Sequence, residues 1–295
     1  MRRRVRFIAL VTLGALALAS GIIFARTFQE PPPTWIPDIK FKSGREVVPY
    51  LEGWIKNPDD SFDFVFGYFS RNTEQELVIP AGPNNSVMPG GPDRGQPTYF
   101  LANRQQRIYR VRVPKDWGDK ALTWTLTANG RTEKVVAKLV PAYEKSERFI
   151  VTNNSTGIVF GEEDLNQPPT LDIPGTLTAT VGTALILPAA VTDDGLPKPR
   201  PIAPPKLAAP PTEASRFQSQ RNNSDGGRPQ IVGTRVTWLE YRGPGQVTFA
   251  TPTAQVVDGK AVTTAHFTVP GTYTLFATAF DGKLSTRKQI VITVK

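Results

Sequence analysis

The sequence predicts an all-β protein, two tandem β-sandwich domains behind an N-terminal apolar leader. Three observations carry this. Over residues 263–281, Ala265, Phe267 and Val269 alternate with Thr264, His266 and Thr268. After Pro270-Gly271, Tyr273, Leu275, Ala277 and Ala279 alternate with Thr272, Thr274, Phe276 and Thr278. A period of two marks half-buried strands and Pro-Gly marks a turn, so this stretch reads as a hairpin closing a sandwich. Second, 24 glycines and 28 prolines punctuate Thr-, Val- and Ala-rich runs in 295 residues, which suits many short strands. Third, no long helical period follows the leader.

Composition narrows the chemistry. With no cysteine there is no disulfide framework and no thiolate metal site, and a single histidine removes His-based triads and most zinc sites. The net charge of +9 is inflated by the leader, which holds Arg2, Arg3, Arg4 and Arg6 and no acid; without a leader ending at Ala25 it falls to +5. The remaining charges are scattered, with no basic cluster interleaved with aromatics, so nucleic acid is not an expected partner.

Taken in order, MRRRVR and the uncharged run from Phe7 to Ala25 form an export leader over residues 1–25. It reads either as a signal peptide cut after Ala19 or Ala25, or as an uncleaved anchor, since about 20 apolar residues span a bilayer. The membrane is then a partner only through that run. No cysteine follows it, which excludes lipoprotein attachment. Residues 26–40 are a Pro-rich linker.

The first domain is expected at 41–145, with strands at 46–55, 62–70, 76–79, 98–102, 107–113, 122–128 and 134–139 and an Asn129-Gly130 hairpin turn. Trp54, Phe64, Phe66, Tyr68, Tyr99, Tyr109 and Trp124 supply core mass or, alternatively, a sugar-binding platform. Arg110 and Arg112 read as a solvated strand face, with an acidic-ligand face as the alternative. Residues 81–97 hold eight Gly or Pro in 17 and show no strand pattern. Long ordered loops are uncommon and often functional, so Asn84, Asn85, Asp93, Arg94 and Gln96 are candidate ligand-binding residues.

An acidic stretch with Pro168-Pro169 ends a linker at 146–167, which also holds a candidate strand at 149–152. The second domain spans 168–295. Its ordered fragments NQPP, TVG, LPAAVTDDGLP, VTW, GPGQVTF, TTAHFTVPGTY and TAFDG resemble a PKD-like (polycystic-kidney-disease-type) immunoglobulin-like domain. The resemblance implies a disulfide-free sandwich used as a spacer or binding module, with Trp238 on a central strand and Tyr273 beside the turn. This chain departs from it at 197–234, an insertion whose first part, 197–211, is seven-fifteenths proline. That part suits polyproline II and the rest suits disorder, or the whole suits a docking ligand for a partner.

No residue constellation points to catalysis. Asp59, Asp60 and Asp63 crowd a turn, and His266 sits on a Thr-lined strand without a second ligand. No cofactor is expected beyond calcium, for which Asn166, Asp193, Asp194 and Asp281 could converge at one end of the second sandwich. Phe276 and Phe280 occupy the face opposite Tyr273 and Leu275 and are expected to form an interface with the first domain or the insertion. The expected function is a non-enzymatic exported module for adhesion or scaffolding in the periplasm, at the cell surface or in the medium, with a protein or glycan partner. A carbohydrate-binding accessory protein is the alternative, and a secreted hydrolase a third class. The last strand ends the chain at Lys295, so the two sandwiches are expected to be the whole working apparatus.

Overall fold

The computed structural model describes residues 41–146, 165–198 and 233–295. The leader, the Pro-rich linker, the candidate strand at 149–152 and most of the 197–234 insertion lie outside them.

In the N-terminal half, β1 (Val47–Lys56), β2 (Phe62–Ser70) and β6 (Asn103–Val113) form one antiparallel sheet in that order. A second sheet orders β4 (Asn85–Met88), β7 (Leu122–Ala128) and β8 (Arg131–Ala137), and a short pair joins β3 (Leu77–Val78) to β5 (Tyr99–Phe100). Alternation decides which residues enter the core. Leu122, Trp124 and Leu126 face in while the intervening threonines face out. Trp124 meets Phe66 and Tyr109 edge-on, with ring centroids 5.9 and 5.6 Å apart. Each such buried side chain contributes roughly 1.5–3 kcal/mol. Asn129 and Gly130 both take positive φ at the β7–β8 turn, as an Asn-Gly hairpin requires.

The C-terminal half is a two-sheet sandwich. One sheet runs β13 (Val247–Phe249), β15 (Lys260–Phe267), β11 (Leu185–Thr192) and β9 (Thr170–Asp172). The facing sheet runs β10 (Thr176–Ala179), β17 (Ser285–Val294), β16 (Gly271–Phe280), β12 (Arg235–Arg242) and β14 (Thr253–Gln255), with β10 parallel to β17. This is the strand order of an immunoglobulin-like sandwich. Trp238, Phe267, Tyr273, Leu275, Leu187 and Ile292 fill its core.

Two expectations need correction. Strands β15 and β16 are not a hairpin: β15 pairs with β11 and β13, and β16 with β12 and β17, so Pro270-Gly271 carries the chain from one sheet to the other. Phe267 and Tyr273 then meet across the sandwich at 4.9 Å, and the Tyr273 hydroxyl donates to the Val269 carbonyl at 2.8 Å. That back-bonded tyrosine at a sheet-to-sheet corner is a hallmark of this fold. Second, residues 81–97 are not all loop, because β4 lies within them and pairs with β7.

Candidate functional site

A constellation of polar and aromatic groups lies where the two halves meet, and β12 makes it. Its inward residues Val236, Trp238 and Glu240 alternate with outward Thr237 and Leu239. A bulge between Glu240 and Arg242 then inserts one residue, and both Glu240 and Tyr241 are buried. Tyr241 turns away from its own sandwich and joins the N-terminal core, against which Leu239 and Phe276 also pack. Leu239 and Phe276 are cross-strand partners, and Tyr241 stacks on Phe276 at 4.2 Å and 27°. The second apolar face of β16 is thus covered in part by the N-terminal half, while Phe280 lies under the Arg235 guanidinium at 4.4 Å.

Polar bonds fix the register of this seam. Thr98 donates its N–H to the Tyr241 carbonyl at 3.2 Å and accepts from the Gly243 N–H at its hydroxyl. The Tyr241 hydroxyl donates to the Gly95 carbonyl, and Gln246 to the Glu76 carboxylate. Arg242 pairs with Asp93 at 2.7 Å and holds its carboxyl below the usual carboxylate range. Glu240 is different. Its Oε2 accepts the Val247 N–H at 2.8 Å, while Oε1 is buried with no partner. Burial, helped by Glu76, pushes this carboxyl up to about 8. Gly243 has no side chain for a reason: a Cβ there would lie 2.4 Å from both Glu240 Oε1 and the Tyr273 ring.

The five candidate loop residues serve this architecture. Asn85 is fully buried, donating to the Ile79 and Pro97 carbonyls at 2.9 and 2.7 Å and accepting from the Trp124 indole. Gln96 is buried as well and bonds the Asn85 and Pro92 carbonyls and the Arg94 N–H. Arg94 donates to the Pro89 and Arg112 carbonyls. Asp93 reaches across to Arg242, and Asn84 is exposed and lends its carbonyl to Thr127. Their polar groups brace β4, β6 and the seam.

At the far end of the C-terminal sandwich, Asp193 lies within electrostatic reach of Asp281 and Asp194. Gln167 donates its N–H to Asp194, whose other oxygen accepts from Leu196. Partial burial and the nearby charges of Asp281 and Asp194 raise the Asp193 carboxyl, and Thr234 donates to it. Asp281 is buried; Oδ1 accepts from Lys283 and Leu284 while Oδ2 has no partner. Asn166 is 3% exposed and neither atom of its amide is bonded. Among the described residues, no group of three or more His, Cys, Asp or Glu side chains is placed to hold a metal. Any such site therefore rests on fewer carboxylates plus the Asn166 carbonyl oxygen.

The remaining acids are engaged locally: Asp63 with Arg112 at 2.9 Å, Asp60 with Lys56, and Asp59 with Ser61. His266 is exposed on β15. Sequence reading missed Thr98, Tyr241, Arg242 and Arg287 as contact residues. The available signal was Tyr241, a large aromatic one step out of the inward alternation of β12.

No protein-family model and no curated protein matches the chain. Among solved structures, the titin domains Z1Z2 in complex with telethonin are similar at 10% identity over 84% of this chain and 96% of that one, with a TM-score of 0.25. The D00-D0 domain of intimin is similar at 11% identity over 84% and 100%, with a TM-score of 0.24. Domains 4 and 5 of the S-layer protein SbsC are similar at 9% identity over 77% and 85%, again at 0.24. At such scores these likenesses bear on nothing about function, and the immunoglobulin-like fold rests on the chain's own strand order.

Proposed function

We propose that this chain is an exported, non-enzymatic module of the cell envelope in which two sandwiches act as one stiff spacer presenting its surfaces to protein or glycan partners. The observation that carries this is the seam. Leu239, Tyr241 and Phe276 belong to strands of the C-terminal sandwich yet pack into the N-terminal core. A flexible pair of beads has no use for such burial. Export rests on the four leader arginines and the uncharged run after them. The C-terminal sandwich is read as PKD-like, supported by Trp238 and Tyr273 in its disulfide-free core. Burial of Tyr99 and Phe100 supports the scaffold over a sugar platform at the 81–97 stretch, because stacking on a sugar needs an open ring face. Fractionation of the native cell, with the mature N-terminus sequenced, tests the reading. The protein is expected in the envelope or medium; a cytoplasmic pool with an intact leader contradicts it.

A cation at the far end of the C-terminal sandwich is part of the same reading. Support comes from the unbonded Asn166 amide and Asp281 Oδ2 and from Asp193 in electrostatic reach of Asp281, since such oxygens suit a hard cation such as calcium. Those three residues would hold the ion and Asp194 would shape the loop around it. A bound ion would tie the chain at Asn166 to the turn that follows β16, stiffening the entry to the second sandwich.

A further inference from the structure

A cleft of about 730 Å³ opens beside the seam, between β6 and β17. Arg94, Arg107 and Arg110 reach it from the N-terminal half, Arg287 and Lys288 from the C-terminal half, and no Asp or Glu lines it. Folding has thus assembled five cations from two sandwiches around one space. Arg110 and Lys288 are exposed there, whereas Arg287 keeps part of its surface in water but is closely surrounded by protein. Arg287 is also held in place: its Nη1 donates to the Arg107 carbonyl at 2.8 Å, its Nε to the Thr278 hydroxyl at 3.1 Å, and its guanidinium lies 5.4 Å from the Phe276 ring centre. Most of these charges are partly answered within the chain, Arg110 by the charge of Asp63 and Arg287 by that of Glu52. Glu52 lies 3.9 Å from the Arg107 guanidinium, and Arg94 donates to the Pro89 and Arg112 carbonyls.

Crowding shows in the titration of Arg287. Desolvation by the cleft walls, then the charges of Arg107 and Arg110, lower it to about 10, so it stays charged at neutral pH. Like charges brought this close repel one another, and their repulsion outlasts the partial relief from Glu52 and Asp63 wherever cations outnumber acids. An anion would relieve it. Planar guanidiniums match the paired oxygens of carboxylate and phosphate, and Thr278, Ser285 and Thr286 add hydroxyls on the same wall. The volume falls within the roughly 300–1,000 Å³ of ligand pockets.

We propose that this cleft binds a compact multivalent oxyanion, a short chain carrying two or more phosphate or carboxylate groups. The site rests on the sandwich-to-sandwich packing of the proposed function and adds a ligand class to it. Isothermal titration of the full chain in detergent, at low salt, with tripolyphosphate, trigalacturonate and neutral maltotriose tests it. One anion at least is expected to bind at a single site, the stronger of the two naming the source of the oxygens, and maltotriose is not. Arg287→Gln should weaken binding about tenfold or more, and raising salt should weaken it further. Should Arg287→Gln fail to fold by its melt, the Arg110→Gln, Lys288→Gln double variant, built on two exposed cations, carries the same expectation. Absence of binding to both anions, or binding unchanged in the folded variants, overturns the proposal. Scattering on the same samples separates the two failures: a compact wild type that binds neither anion removes the cleft alone, whereas an extended one removes the seam and the cleft with it.

Discussion

Tyr241 stacks on Phe276 at 4.2 Å, and both rings, though carried by β12 and β16, pack against the core of the other sandwich. The pair is a hydrophobic rivet between two units that local patterning would otherwise leave independent. Phe276→Ser should therefore lower stability by about 2 kcal/mol, less than a fully buried Phe→Ala change because Phe276 is half-buried. Urea denaturation reads that loss, and scattering should show a larger radius of gyration. Unchanged values in both would contradict the seam.

Asn85 is predicted to be a folding residue. Its amide satisfies two carbonyls and the Trp124 indole inside the N-terminal core. Asn85→Ala strands those three groups without water, and stranded buried partners cost about 1–3 kcal/mol each. A denaturant midpoint lowered by several tenths of a molar or more is expected, whereas Asn84→Ala, at an exposed neighbour, should leave it unchanged.

The internal role of Asn85 is not legible in the sequence, for a physical reason. Asn, Gln and Asp between Gly and Pro normally face water, and nothing local reports that Trp124, 39 positions away, needs an acceptor. The same limit hid β4, whose Asn85–Met88 run lacks alternation and forms only because β7 supplies its partner. By contrast, Tyr273, Leu275, Ala277 and Ala279 were legible as one buried face, since alternation is a local property, and all four are fully buried. The pairing of β16 was not legible, because alternation says that a residue faces inward without saying which strand lies beside it. Phe276 is legible as an apolar residue on the outward face, and it lies in the seam. The Arg107–Arg287 contact spans 180 positions and leaves no local trace.

Glu240 predicts a pH dependence. Its carboxyl is raised from 4.5 to about 8 in the folded state, so the folded chain holds a proton that the unfolded chain has lost. The stabilisation is complete below about 4.5 and lost as pH rises through about 8, with a limiting slope of ~1.4 kcal/mol per pH unit. Denaturation from pH 5 to 9 should show stability falling from this residue's contribution, and Glu240→Gln should flatten that part of the curve. A variant with the same slope as wild type would contradict the assignment.

Calcium should raise the melting temperature through Asn166, Asp193 and Asp281. Binding at a hundred times Kd adds about 2.7 kcal/mol. Chelator should reverse the shift, and Asp281→Asn should abolish it. Equal melts in calcium and in chelator would remove the cation from the far end of the sandwich.

The stiff coupling of the two sandwiches is tested most directly by a distance. The chain has no cysteine, so spin labels at Lys134→Cys on β8 and Lys260→Cys on β15, both exposed, report one defined pair. Pulsed electron spin resonance on the full chain should give a single narrow distance peak that broadens when Phe276→Ser is added. A broad distribution in the otherwise unmodified chain would mean two beads on a string, and would contradict the seam as a rigid joint.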